Sequence, residues 1–391
     1  MTGGAAQTGR KLPLIGPGVV LTCVIALLVF AVAPGTGYGE ASDDGPIGSA
    51  LPPALKSSAG RAIYVSPKGS DRSPGTLTRP KRTIQRALDG ARPGQRILVR
   101  KGVYEESIRI QRSGTRDAPI TLAAYRGEQV VVRPRPAGGD TYAIQVSAPF
   151  IRIRGLVLEG ASGTSSANVF LDEDASSVEL RANQIRNGQD QGIVTDSETS
   201  NVQIIGNIVH GHGAGLPGQH QSHGMYVNGT RHLIVNNVVY NHPRGFGIHI
   251  YPNNDGTIVA GNTVAFNELG GMVVGGGDVS NITIRNNIFA YNGRYGISIT
   301  DDAEGTRIDT NLLYRNTSGD IRSKADGVTI GENTTAPPRF ASGRARNFHL
   351  TRGSAAIDRA LAAYAQVVDL DGVIRPQGRA PDIGAFEWAR R

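Results

Sequence analysis

The chain has 391 residues, 39% of them hydrophobic and 6% aromatic, with 52 glycines and a formal net charge of +8. That length suffices for a large single domain, and so much glycine suits many tight turns. The single cysteine, Cys23, excludes a disulfide framework and any cysteine-based metal site. Arginine supplies 35 of the 41 basic residues, and no Lys/Arg block interleaved with aromatics marks a nucleic-acid surface. The positive balance leaves two readings, a partner such as an acidic glycan or a generally basic solvated surface.

In chain order, the first feature is the apolar stretch Val19–Ala33, preceded by Arg10 and Lys11 and followed by Glu40, Asp43 and Asp44. That order predicts a secretion signal or N-terminal membrane anchor over 1–33, with the body outside the cell or held at the outer face of the cytoplasmic membrane. Residues 34–60 are rich in Gly, Pro, Ser and Ala and read as a linker. An N-terminal cap follows over 61–95. It holds a short strand at Ile63–Val65 and an amphipathic helix over 83–91, whose positions Ile84, Ala87, Leu88 and Ala91 share a face.

From Arg96 to about residue 333, short apolar runs alternate with Gly, Asn, Asp and Ser. Six times the pattern apolar-x-x-Asn-x-apolar recurs, at Asn183, Asn207, Asn237, Asn262, Asn287 and Asn311. The steps are 24, 30, 25, 25 and 24 residues. A fixed period of that size marks a solenoid whose repeats contact only their neighbours. No repeat carries a ten-residue stretch of helical periodicity, whereas three short strands and three turns fit a coil of about 24 residues. The prediction is an all-β solenoid, a parallel β-helix of about ten coils, with stacked Asn amides on its inner turns. Residues 334–391 break the pattern and read as a C-terminal cap, with a short helix over 354–363.

Each coil also has a Gly followed by an alternating strand. Alternation turns Ile193, Met225, Val227, Ile248 and Ile250 inward and Val194, Tyr226, His249, Val273 and Ser298 outward. Two residues on, a further outward column holds Asp172, Asp196, Asn228 and Tyr251. The one long step is rich in histidine: His210, His212, His220 and His223 lie in or beside its Gly-rich connection, with His232, His242 and His249 after that connection. A Gly-rich insertion at one coil is where a solenoid tends to build its site. His249 and Tyr226 fall side by side on adjacent coils, with Arg244 in the preceding turn. Abstraction of a proton α to a carboxylate needs a placed base and a cation for the developing charge. The candidate catalytic set is therefore Tyr226, His249, Arg244 and His223, with Asn228, Tyr251 and His220 as substrate contacts. The competing reading of Tyr226 and His249 is an ordinary stacked surface ladder. His232 and His242 read as turn residues, and a histidine metal site from His210, His212, His220 and His223 is a further alternative. Asp172 and Asp196 lie one coil apart, and two like charges at that spacing fit a bridging calcium ion, with Asp174 as an added ligand. Solvated turn aspartates are the alternative.

Three stretches carry a resemblance. Tyr64-Val65-Ser66-Pro67-Lys68-Gly69-Ser70-Asp71, with Pro74-Gly75-Thr76 and Thr83-Ile84-Gln85-Arg86-Ala87, resembles the opening of secreted right-handed parallel β-helix proteins of the pectate-lyase-like superfamily, closest to the family 9 polysaccharide lyase-like group. Pro93–Ile97 and Lys101–Tyr104 continue it. Ala355-Ala356-Ile357-Asp358, Asp369–Gly372 and Asp382–Glu387 are similar to a C-terminal segment of bacterial β-helix proteins. The resemblance implies a right-handed helix and an acidic-polysaccharide substrate, and the Asp172/Asp196 pair resembles the calcium clusters of such lyases. It also exposes departures. Those lyases use a lysine base, yet no lysine occurs between Lys101 and Lys324. The Asp-Pro-His-Asp signature of β-helix epimerases is absent. Gly211-His212-Gly213 matches a piece of the polygalacturonase signature without its aspartates in order. The expectation is an exported, monomeric, glycan-active protein that cleaves an acidic polysaccharide by β-elimination. The rival is a non-catalytic glycan-binding surface protein, with a uronate epimerase or a hydrolase on the same fold behind it.

Overall fold

The computed structural model describes residues 62–136, 138–214 and 221–389. The proposed signal or anchor segment, the linker and His220 lie outside the described residues. Those described build an all-β, right-handed parallel solenoid of about nine turns with almost no helix. Ten coils had been expected from a uniform period of about 24. The coils are uneven in length: Leu122 pairs with Ile153, and Ile153 pairs with Leu180.

The coils build three parallel sheets. The first sheet runs from Ile63–Val65 to Val328–Ile330, with eleven parallel strands. The second runs from Gly102–Tyr104 to Leu312–Tyr314, with nine. The third, which carries the candidate site, runs from Ile108–Ile110 to Gly319–Ser323. The strands form because β-branched residues occupy alternate positions and point to one interior. Ile153, Leu180, Ile204, Ile234, Val259, Ile284 and Ile308 are fully buried in the first sheet, and Ile193, Met225, Ile248, Met272 and Ile297 in the third. Burying one such side chain stabilises the fold by about 1.5–3 kcal/mol.

Between the first and second sheets the chain turns within two residues. The first takes a left-handed conformation, as at Ala182, Gly206, Asn236 and Gly261. The second is the repeated Asn. From Asn183 through Asn207, Asn237, Asn262, Asn287 and Asn311 to Asn333, each amide Nδ2 donates to the next Oδ1 at 2.9–3.1 Å. That Oδ1 also accepts the backbone N–H of the preceding coil's Asn, at 3.0 Å between Asn183 and Asn207. The buried turn thus has its polar groups paired, which removes a penalty of about 1–3 kcal/mol per orphaned group. A second ladder lines the turn between the second and third sheets. Asn267 donates to Asn292 and Asn292 to Asn316, at 3.1 and 2.9 Å. In the two preceding coils histidines take the Asn position: the His242 N–H donates to Asn267 Oδ1 and the His212 N–H to His242 Nδ1.

The predicted N-terminal helix forms over Ile84–Asp89, with the Thr83 side chain accepting from the Arg86 N–H. Glu106 accepts from the N–H groups of Ile84 and Gln85, satisfying the helix start. Ile84, Ala87 and Leu88 enter the main core cluster.

The C-terminal segment differs from expectation in two ways. No α-helix forms over 354–363; the stretch is turns and a 3-10 turn at Ala362–Tyr364. The segment also lies along the side of the coils. Leu350, Ala356, Ala360 and Ile383 pack on Ile288, Ala290 and Leu312, while Phe348, Ala385 and Phe386 pack on Val238 and Ala265. Small or apolar residues on the outer surface of the second sheet require such cover. Carboxylates brace the segment: Asp369 accepts from Val373 and Glu387 N–H groups, and Asp382 from those of Asp358 and Trp388.

Candidate functional site

The third sheet brings the predicted residues together. Parallel register pairs Val194 with Tyr226 and Tyr226 with His249. The rings of Tyr226 and His249 stand 5.0 Å apart and nearly perpendicular. His223, at the end of the long connection, completes the group, with its ring centroid 4.6 Å from that of His249 and 5.8 Å from that of Tyr226. Tyr251 adds a fourth ring, 5.0 Å from His249.

Hydrogen bonds orient the two imidazoles. The His223 N–H donates to Gln191 Oε1 at 2.7 Å, and the Phe246 N–H donates to His223 Nδ1 at 3.0 Å. His223 Nε2 lies 3.0 Å from His249 Nδ1. Burial, then the neighbouring His249 and His242, holds His223 well below the usual histidine range. Burial pushes His249 down to about 4, so both rings are neutral at pH 7. Tyr226 is pushed up to about 12 by burial and then by Tyr251.

The remaining predicted residues fall in different places. Asn228 turns its amide to the preceding coil, donating to the Thr195 carbonyl at 2.8 Å. It does not pair with Tyr251, because the register shifts after Val227 and Gly229 pairs with Asn254. The surplus residues bulge at Tyr251, whose ring lies over Gly276; a Cβ there would come within 1.8 Å of Tyr251 Cε2. Arg244 is half-buried, and its carbonyl accepts from the Ser222 N–H, which sets it beside the His223 turn. The outward positions Val273 and Ser298 are only 6% and 5% exposed, so the open surface narrows there.

The four-histidine metal reading fails on geometry. His210 faces out of the second sheet and stacks on Tyr240 at 4.8 Å, whereas His212 is fully buried in the second ladder. His232 and His242 are buried turn residues, as the sequence indicated: His232 Nδ1 accepts from the Val202 N–H.

For calcium, Leu171 pairs with Thr195, which stacks Asp172 on Asp196 one coil on. Asp172 Oδ2 accepts from Ser147 and Gln145, while its Oδ1 is buried without a partner, as a cation-facing oxygen would be. Asp174 is exposed, and no group of three acidic, histidine or cysteine side chains converges for a metal among the described residues. Asp172 and Asp196 supply two carboxylates of the six to eight oxygens that calcium takes, and Asp196 Oδ1 already accepts from the Ser197 hydroxyl and the Glu198 N–H.

The sequence reading missed a cleft of about 840 Å³ beside Tyr251, bordered by Asp278, Asp301, Asp302 and Glu304. The run Gly275-Gly276-Gly277 was its only signal in the sequence. It also missed Gln191 and Phe246, because their contacts to His223 arise only when coils stack. Further along the same sheet, Tyr142 and Phe170 stack at 5.1 Å.

Comparison with known proteins agrees with this architecture. A family model described as a Pel9A-like, right handed beta helix region matches residues 63–207, and one described as a right handed beta helix region matches 219–335. Over 160 residues, 38% of its length, the chain is 30% identical to the uncharacterized protein YwoF of Bacillus subtilis (strain 168). Over 72 residues, 18% of its length, it is 47% identical to pectate lyase PEL9 of Emericella nidulans. It spans 32% and 18% of the lengths of these two relatives. The crystal structure of pectate lyase Pel9A superposes with a TM-score of 0.60 at 15% identity, over 85% of this chain and 98% of that one. A structure titled glycoside hydrolase gives 0.55 at 10% identity, over 75% and 99%. At those identities the likeness concerns the fold. With the three-sheet coil, the Asn ladder and both family matches in agreement, the chain is a right-handed parallel β-helix protein whose residues 63–207 match the Pel9A-like region.

Proposed function

We propose that the protein is an exported, monomeric enzyme that cleaves an acidic polysaccharide by β-elimination on the open face of the third sheet. The observation that carries this reading is the cluster of Tyr226, His223, His249 and Tyr251, a hydroxyl and two neutral imidazoles held among aromatic rings. Tyr226 and His249, half-buried beside ring faces with the buried His223 behind them, suit a sugar that stacks while its carboxylate is hydrogen-bonded. In the reaction, the Tyr226 oxygen, as phenolate, takes the proton α to the carboxylate. The electron pair forms the carbon–carbon double bond as the carbon–oxygen bond to the departing sugar breaks. Tyr226, now a phenol, returns its proton to the leaving oxygen. His249 donates a hydrogen bond to the carboxylate as charge builds, and Arg244 supplies positive charge beside the His223 turn. Calcium held by Asp172 and Asp196 would add neutralising charge to a polyanionic chain.

The membrane-side origin rests on the apolar stretch Val19–Ala33 between basic and acidic flanks. The test of the reaction is ultraviolet absorbance during incubation with pectate, alginate and glycosaminoglycans, each with calcium and with chelator. An unsaturated uronate product supports the lyase; silence on all of them removes it for those glycans. A second reading has one specific support. The Tyr142–Phe170 stack on the same sheet, away from the imidazoles, offers a further ring platform of the kind a non-catalytic glycan binder uses.

A further inference from the structure

The imidazole pair has a direction. A backbone N–H can only donate, so the Phe246 N–H fixes His223 Nδ1 as an acceptor. A neutral His223 must then carry its proton on Nε2, the atom 3.0 Å from His249 Nδ1. His249 Nδ1 is thereby the acceptor of that bond, and the proton of a neutral His249 sits on Nε2. Among the described residues His249 Nε2 has no hydrogen-bond partner, and it is absent from the polar atoms sealed from solvent without one. The chain of bonds starts at rigid backbone: Phe246 opens the strand Phe246–Asp255, and the His223 N–H is itself tied to Gln191.

We propose that His223 is a positioning residue that locks His249 in the Nε2–H tautomer, so that the groove offers its ligand an N–H donor and not a ring base. The ligand group it suits is an anionic or hydroxyl oxygen, above all a carboxylate. This rests on the reading that Tyr226 and His249 face the ligand, and it deepens that reading by assigning the basic role away from histidine. A ring base at His249 would need a free nitrogen lone pair, and the only one is already engaged by His223. The arrangement resembles the carboxylate that fixes a catalytic histidine's tautomer in hydrolases, with an imidazole in the carboxylate's place.

The experiment is histidine-ring ¹⁵N spectroscopy of the full chain at pH 7, with assignment by His223→Gln and His249→Gln. Expected are a protonated Nε2 and a bare Nδ1 on both rings, with scalar coupling across the bond from His223 Nε2 to His249 Nδ1. His223→Phe should abolish that coupling and leave His249 as a mixture of tautomers. His223→Gln, whose amide can both accept from Phe246 and donate to His249, should restore the single tautomer. It should also restore oligouronate affinity to within a few-fold of the original, where His223→Phe loses tenfold or more. A proton on Nδ1 of His249, or no coupling in the unmodified protein, overturns the proposal. If the tautomers are as stated but His249 signals do not move with added oligouronate, the positioning role stands and the site reading fails.

Discussion

His223 Nε2 and His249 Nδ1 lie 3.0 Å apart, although the two residues are 26 positions apart in the chain. The contact exists because the long coil brings its last residues back onto the third sheet just before Tyr226. A buried imidazole bonded to a half-buried one sets the surface around Tyr226 apart among the described residues.

Removing the outward groups should separate catalysis from binding. His249→Ala and Tyr226→Phe are expected to lower turnover at least 100-fold, the usual scale for a lost acid–base or charge-stabilising group. Circular dichroism and melting temperature should stay close to the original, because both side chains project from the sheet. A graded loss of affinity shared over many outward residues would instead identify a binding protein.

The pH dependence of turnover follows from Tyr226. Burial and Tyr251 hold its phenol up at about 12, so the phenolate fraction grows about tenfold per pH unit from neutrality upwards. The logarithm of kcat/KM should therefore rise with a slope near one between pH 7 and 10. A plateau beginning near pH 6.5 would point to a histidine base and contradict the assignment.

Stability should move oppositely to ordinary surface histidines. His242 is held at about 3, and His210, His232 and His249 at about 4, all chiefly by burial. Folded values below the unfolded one mean the unfolded chain binds more protons between about pH 4 and 6.5. The contribution is complete above pH 6.5 and is lost as pH falls towards 4. Melting temperature measured from pH 7.5 to 4 should drop most steeply in that window, and less steeply in His242→Asn, which restores the ladder's own residue.

The Asn ladder predicts a positional effect. Asn237→Ala strands the Asn207 N–H and Nδ2, which donate to Asn237 Oδ1 at 2.8 and 3.0 Å, and should cost about 1–3 kcal/mol for each group left unpaired. Asn333→Ala, at the half-exposed end of the same ladder, should cost less because water can take the freed groups. Urea unfolding of the two variants gives the comparison.

Calcium is tested without reference to activity. If Asp172 and Asp196 hold the ion, millimolar calcium should raise the melting temperature of the original protein, since a ligand bound only to the folded state stabilises it. Asp172→Asn should abolish that rise. An equal rise in both would place the effect elsewhere.

The architecture was legible in the chain because its physics is repetitive. One Asn per coil and alternating β-branched residues impose the same turn and the same inward face each time, so the period alone gives sheets, ladder and outward columns. Tyr226 beside His249 followed from that regularity. What the sequence could not give were the places where regularity breaks. The bulge that frees Tyr251 from Asn228, the two histidines that substitute for Asn in the second ladder, and the lateral packing of residues 334–389 depend on neighbours from other coils. The direction of the His223–His249 bond depends on one backbone N–H, that of Phe246, and a backbone hydrogen bond to a side chain leaves no mark on residue identity. Local pattern determined the scaffold, because each repeat answers to its own burial and hydrogen bonding. Only the stacking of coils decided the site, because the orientation of a neutral imidazole is set by whichever donor the tertiary structure places against it.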